Sequence, residues 1–201
     1  IHLTMKFGIT WWGNSWMNAL HDADFTNRIP RGKSYANTGK VYDIDIKDNR
    51  ITSKVQGRYS DYYNTEIEFN CFADNEKKII LDTINNSDIL LSSLLNHELP
   101  IELYEQLSKK GIQVFPNSVD DFSSDCTCPD YAYICKHIAA LIHMMVHEVD
   151  KNPFQVFKIQ GCDLIEMLEY ENNDNITDIS ELFNHEDIVC DDVSVADYST
   201  I

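Results

Sequence analysis

The chain has 201 residues, with 16 Lys and Arg against 33 Asp and Glu and a net charge of −17. That balance argues against a protein that simply coats nucleic acid, and the length allows one domain or two small ones with a real core. No apolar run is long enough to cross a bilayer, and the opening Ile1-His2-Leu3-Thr4-Met5 lacks the basic and long apolar parts of a secretory signal. A cytoplasmic location is therefore expected, with Met5 as the natural start and residues 1–4 as an addition. Of six cysteines, Cys71, Cys162 and Cys190 stand singly. That is too sparse for a secreted disulfide framework, and it fits a reducing compartment.

The elements expected in chain order make an α+β protein. Residues 1–70 read as a β-rich region that begins with a short Trp-rich helix. Trp12, Trp16 and Leu20 recur at i, i+4 and i+8 on one helical face, the spacing of a buried stripe rather than of a base-stacking platform. Between positions 28 and 58 there are eight basic and three acidic residues. Gly32 and Gly39 bracket Tyr35 there, which suits turns and close backbone approach. Arg31, Lys33, Lys40, Lys54 and Arg58 are the candidate phosphate-contacting set. Tyr42, Ile44 and Ile46 alternate with Asp43 and Asp45, and residues 47–50 read as a hairpin turn. Ile51, Ser53 and Val55 follow, with Gly57 as a possible bulge position. Tyr63, Thr65, Ile67 and Phe69 complete a three-stranded antiparallel meander.

Residues 71–115 read as a helical layer beside this sheet. One helix is capped by Asp74, one begins at Ser87, and one has Pro100 in its first turn and ends at Gly111. Residues 112–115 then form a short strand. Residues 116–158 open with a polar loop and carry the motif discussed next. Residues 159–201 hold a short helix at 163–169 and an acidic tail. Beyond position 158 there are twelve acidic residues and no Lys or Arg. The tail, with a modest amphipathic patch at Ile179, Leu182 and Phe183, either moves freely or covers a basic surface.

The chemistry concentrates at Cys126-Thr127-Cys128-Pro129 and, with six residues between Cys128 and Cys135, at Cys135-Lys136-His137. Three thiolates and an imidazole suit a structural zinc ion in a closed tetrahedron. Cys126 and Cys128 point the same way if the segment is extended. Cys135 and His137 cannot share a helical face, because two positions differ by roughly 200°. Cys135 is therefore expected just before a helix and His137 in its first turn. The stripe Ile138, Leu141, Ile142, Met145 and Val149 continues that helix. His143 and His147, four apart and off the stripe, read as ordinary, partly exposed helix residues rather than a second metal site.

Cys-x-Cys, six residues, Cys-x-His, with Cys-Pro-Asp and Cys-Lys-His-Ile-Ala-Ala around the ligands, resembles the SWIM zinc finger. Trp11-Trp12-Gly13-x-x-Trp16, Arg31-Gly32-Lys33-x-Tyr35-Ala36, Val55-Gln56-Gly57 and Asn152-Pro153-Phe154 extend the resemblance to bacterial SWIM-containing proteins over most of the chain. The resemblance implies a zinc-stabilised interaction module with DNA or protein as partner. It also implies an association with a Snf-type helicase-like ATPase.

The expected architecture is an N-terminal antiparallel β-meander, a helical layer and a zinc-knuckle–helix module. The expected function is a non-enzymatic zinc-binding adaptor for DNA, the ATPase, or both. The alternatives are a protein–protein scaffold that avoids nucleic acid and, more remotely, a thiol enzyme using Cys135 and His137. No Gly-rich phosphate loop, paired-carboxylate motif or nucleophile elbow supports an enzyme.

Overall fold

The β-rich region folds as expected up to a point, then gains a strand from the finger. The computed structural model describes residues 5–18 and 27–168. Strands β1 (Val41–Lys47), β2 (Arg50–Gln56) and β3 (Tyr62–Phe69) form the antiparallel meander. A fourth strand, β4 (Phe122–Cys126), adds antiparallel to β3, so the order is β1-β2-β3-β4. Alternation sends Ile51, Ser53, Val55, Tyr63, Thr65, Ile67 and Phe69 into the core. In β1 the expected alternation breaks. Tyr42 pairs with Lys54 and Asp45 with Thr52, and the register slips between them at a bulge where Asp43 has φ 52°. Ile44 and Ile46 are consequently only half-buried. Gly57 marks no bulge; it lies just past β2, where an added Cβ would strike the Ser60 carbonyl.

The buried sheet face is covered by α6 (Lys136–Lys151), which contacts every strand. Its apolar surface is wider than the expected stripe, since Ala139, Ala140 and Val146 are buried as well. The reason is a helix the sequence did not announce. α2 (Arg28–Asn37) occupies the stretch read as turns and packs closely along α6. Gly32 permits this, because a Cβ there would stand 2.5 Å from the Ala139 Cβ. The close backbone approach expected of Gly32 is thus real, but between two helices. Gly39, at φ 68°, does make the turn from α2 into β1.

α1 (Trp11–Met17) packs on the far end of α6. Trp12 and Trp16 are buried, as the stripe requires, and the Trp12 Nε1 donates to the Val149 carbonyl at 2.8 Å. Leu20 lies outside the described residues. The Asp150 carboxylate at the end of α6 ties down the approach to α1. It accepts from the Gly8, Ile9 and Thr10 amides at 2.8, 3.2 and 3.0 Å and from the Thr10 hydroxyl at 2.7 Å.

α3 (Asp74–Asn85), α4 (Asp88–Leu95) and α5 (Ile101–Lys109) follow the expected boundaries. The cap of α3 is Ala73 rather than Asp74, with Glu76 accepting from the Ala73 amide at 2.8 Å. Pro100 precedes the first turn of α5 as its cap. These helices pack on one another, and α5 reaches α1 through the Trp11–Tyr104 ring pair at 5.7 Å. Ile112, Val114 and Phe115 are buried and Gln113 is exposed, but the segment forms no strand; the Val114 carbonyl is satisfied instead by the Gln160 side chain at 2.7 Å. α7 (Phe154–Lys158) follows Pro153 and packs on α6 with Phe154 and Phe157 buried. Among the described residues no helix is long and apolar enough to cross a membrane. The chain divides into units Ile1–Met167 and Leu168–Ile201. The tail beyond Leu168, with its amphipathic patch, lies outside the described residues.

Candidate metal centre

The strand that the sequence hid delivers the first ligand. β4 is polar (Phe-Ser-Ser-Asp-Cys) and only Phe122 is buried, but its backbone pairs with β3, setting Cys126 opposite Thr65. The next residue locks the knuckle. The Thr127 amide donates to the Asn64 carbonyl at 3.1 Å, and the Asn64 amide donates to the Thr127 hydroxyl at 3.0 Å. The strand ends at Cys126 and the chain bends through Thr127 and Cys128, so the two sulfurs meet across a bend rather than along the extended segment expected from their spacing.

The second half is set by the start of α6. Cys135 is the N-cap, with φ −77° and ψ 168°, and its sulfur accepts from the Ile138 amide at 3.5 Å. His137 lies in the first turn and is buried. Its Nδ1 stands 3.7 Å from the Cys126 sulfur and 3.8 Å from the Cys135 sulfur. The ligand atoms of Cys126, Cys128, Cys135 and His137 all lie within 4.8 Å of one another.

These separations fit the ion the donor set favours. With Zn–S of about 2.3 Å and Zn–N of about 2.0 Å, a tetrahedron has an S···N edge of about 3.5 Å. Three soft thiolates and one imidazole nitrogen supply all four corners. The protonation pattern points the same way. Cys135 is held down at about 4, first by a hydrogen bond from the Cys126 thiol, then, against burial, by His137 and the Ile138 amide. Cys126 is pushed up, because it keeps the proton it shares with Cys135 and is itself partly buried. Cys128 is raised by burial. The depression of Cys135 is the direction with a lasting structural cause, a thiolate at a helix N-terminus. An ion at the centre would take the place of the remaining thiol protons.

The surroundings contain residues that sequence reasoning missed. The His137 ring lies 4.8 Å from that of Tyr63 and 5.7 Å from that of Tyr35. Its Nε2 is buried without a hydrogen-bond partner, which leaves Nδ1 as the metal-facing nitrogen. Asp130, in the finger loop, accepts from the Ala132 amide at 3.1 Å and pairs with Arg28 of α2 at 3.2 Å. The Arg28 guanidinium holds the Asp130 carboxyl below the usual range. Its place within Cys-Pro-Asp was the only sequence signal for it. Tyr131 on the same loop is fully exposed.

The five candidate phosphate contacts do not sit on one element. Arg31 and Lys33 are exposed on α2. Lys40 lies over the Tyr35 ring at 4.5 Å, and Lys136 over the same ring at 5.8 Å. Lys54 is on the outer sheet face, paired with Asp43 at 2.9 Å. Arg58 lies in the β2–β3 connection over Tyr59 at 5.4 Å.

The helical histidines separate. His143 is buried, against expectation, with Nδ1 donating to the Ala139 carbonyl at 2.7 Å and Phe7 edge-on at 5.2 Å. The wide burial of α6 covers a face that a single stripe would have left open. Burial, the main cause, and the nearby Lys33 charge lower its pKa. His147 stays half-buried.

Comparison with known proteins agrees with this geometry. Residues 109–145 match the model of the SWIM zinc finger. The chain is 30% identical over 159 residues to uncharacterized protein Rv2102 of Mycobacterium tuberculosis. That alignment covers 79% of this chain but 57% of the relative, so the chain spans little more than half of the relative's length. No solved structure matches the chain.

Proposed function

Starting from a chain that carries a SWIM zinc finger at residues 109–145, we propose a non-enzymatic, cytoplasmic adaptor that binds DNA alongside a Snf-type helicase-like ATPase. One zinc ion fixes the fold, and the surface beside it does the docking. The closed Cys126, Cys128, Cys135 and His137 cluster carries the reading. Four protein donors fill a tetrahedron and leave no corner for a reactive water. The same completeness speaks against Cys135 as a nucleophile, since its imidazole neighbour faces two sulfurs rather than one. DNA contact is supported by Lys40 and Lys136 beside the finger and by Arg31 and Lys33 on α2. The ATPase partnership is supported by the resemblance to bacterial SWIM-containing proteins.

A second reading, a protein-only scaffold, is favoured by the net charge of −17 and by Asp120, Asp121 and Asp125 just before the finger. Two measurements test the proposal. Zinc should be stoichiometric, and Cys126→Ser or His137→Ala should lose metal and cooperative folding together. Duplex DNA should bind the zinc-loaded chain at about 50 mM salt and dissociate steeply toward about 200 mM. Absence of both duplex and single-strand binding at low salt removes the DNA contact and leaves the scaffold reading.

A further inference from the structure

The outer face of the sheet carries an arrangement that the zinc centre does not use. Strand alternation turns Lys54 and Gln56 of β2 and Tyr62 and Asn64 of β3 away from α6. Tyr42 of β1 stands opposite Lys54, Lys54 opposite Asn64, and Gln56 opposite Tyr62. Tyr42 and Tyr62, 38% and 42% exposed, thus flank one lysine, whose ammonium lies 5.2 Å from the Tyr62 ring centre. Just beyond, in the β2–β3 connection, Tyr59 is 80% exposed with the Arg58 guanidinium 5.4 Å over its ring. The knuckle borders this patch, because Thr127 is bonded to the backbone of Asn64.

We propose that this face binds single-stranded nucleic acid, with Tyr42, Tyr59 and Tyr62 stacking on bases and Lys54 and Arg58 meeting the phosphates. The inference rests on the nucleic-acid part of the function proposed above and narrows it. A duplex keeps its base faces covered by neighbouring pairs, so an open tyrosine platform offers it little. An unpaired strand can lay successive bases on such rings whatever their sequence, while cations track the backbone. Charge supports this occupant. At this end of the sheet Lys40, Lys54 and Arg58 stand against Asp43 and Asp61, with Lys54 shared with Asp43 at 2.9 Å and Lys40 drawn over the Tyr35 ring of α2, in a chain with twice as many acidic as basic residues. Glu66 and Asp125 lie beyond Asn64, toward the other end of the strands. They confine a polyanion to the tyrosine end.

The test uses the zinc-loaded full chain, a labelled deoxythymidine oligomer of roughly 20 nucleotides, its uridine counterpart, and a mixed-sequence duplex of the same length. The thymidine or uridine strand should bind at about 50 mM salt, and the preferred one of the two tells DNA from RNA. Tyr59→Ala and Tyr62→Ala, both at exposed positions, should each weaken it on the order of tenfold. Tyr59→Phe and Tyr62→Phe should bind as the parent does. Duplex affinity should change less than twofold in all four variants. Single-strand binding that survives Tyr59→Ala together with Tyr62→Ala overturns the inference. Duplex binding without single-strand binding also overturns it while leaving the function proposed above intact. Failure of all three probes overturns both.

Discussion

The Asp150 clamp lends itself to a quantitative test. One carboxylate, 8% exposed, accepts three amide bonds and one hydroxyl bond from residues 8–10. The Thr10 hydroxyl in turn accepts from the Gly13 amide at 2.9 Å, which makes it the cap of α1. Hydrogen bonds to a charged group contribute about 1.5–3 kcal/mol each, yet they are not additive, and an exposed donor such as the Ile9 amide can turn to water. Asp150→Ala should therefore cost about 3–5 kcal/mol, less than the naive sum of four bonds. At about 2–4 °C per kcal/mol for a chain of this size, the midpoint should fall by about 10 °C. Asp150→Asn, which keeps one acceptor oxygen, should lose roughly half as much. Denaturation of the zinc-loaded protein measures the loss, and amide exchange at Gly8, Ile9 and Thr10 locates it. Should Asp150→Ala prove too unstable to purify, Thr10→Val removes the hydroxyl link and the cap for about 1–2 kcal/mol. A cost under about 1 kcal/mol for Asp150→Ala, with unchanged exchange at those amides, would refute the argument.

Two glycines should respond for opposite reasons. Gly32→Ala improves helix propensity by about 1 kcal/mol but presses a methyl onto the Ala139 and Ala140 backbone at 2.8 Å, so a net loss of about 1–3 kcal/mol is expected in urea titration. Gly111→Ala meets nothing within 4 Å but must hold φ 79°, and should lose about 1 kcal/mol. His143 sets a pH dependence. Its folded pKa is depressed below 6.5 by burial first and by Lys33 as well. Its contribution is thus fully present above about pH 6.5 and is lost as pH falls toward the folded value. His143→Gln, with the zinc ligands unchanged, should flatten the fall in stability below about pH 6.5; equal slopes in the two proteins would contradict this.

The Cys126, Cys128, Cys135 and His137 cluster and α6 were legible because metal coordination demands particular residue types and spacing, and because a long helix repeats its apolar stripe. α2 was not legible, since Ile29-Pro30-Arg31-Gly32 carries a proline and a glycine within one helical turn. Pro30 is tolerated in the first turn, where its missing amide costs nothing, and Gly32 is needed for contact with α6. β4 was hidden because its pairing is made by backbone alone, with Ser, Ser and Asp between its two informative residues. Ile112, Val114 and Phe115 misled in the converse way: they are apolar because they are buried, not because they pair. The aromatic pocket around His137 joins Tyr35, Tyr63 and the finger across α2, β3 and α6. No local pattern encodes a meeting of that kind.

The slip in β1 has a bearing on solubility. β1 lies at the end of the strand order, where an extended backbone invites a second molecule to add its own strand. Asp43, turned into the left-handed region, twists that margin and leaves an acid where a flat ladder would otherwise continue. The guard against runaway self-association along this border therefore rests on that kink together with the exposed charges of Asp43, Asp45 and Lys47, and the tyrosine platform beside it can stay open without becoming a seed for fibres.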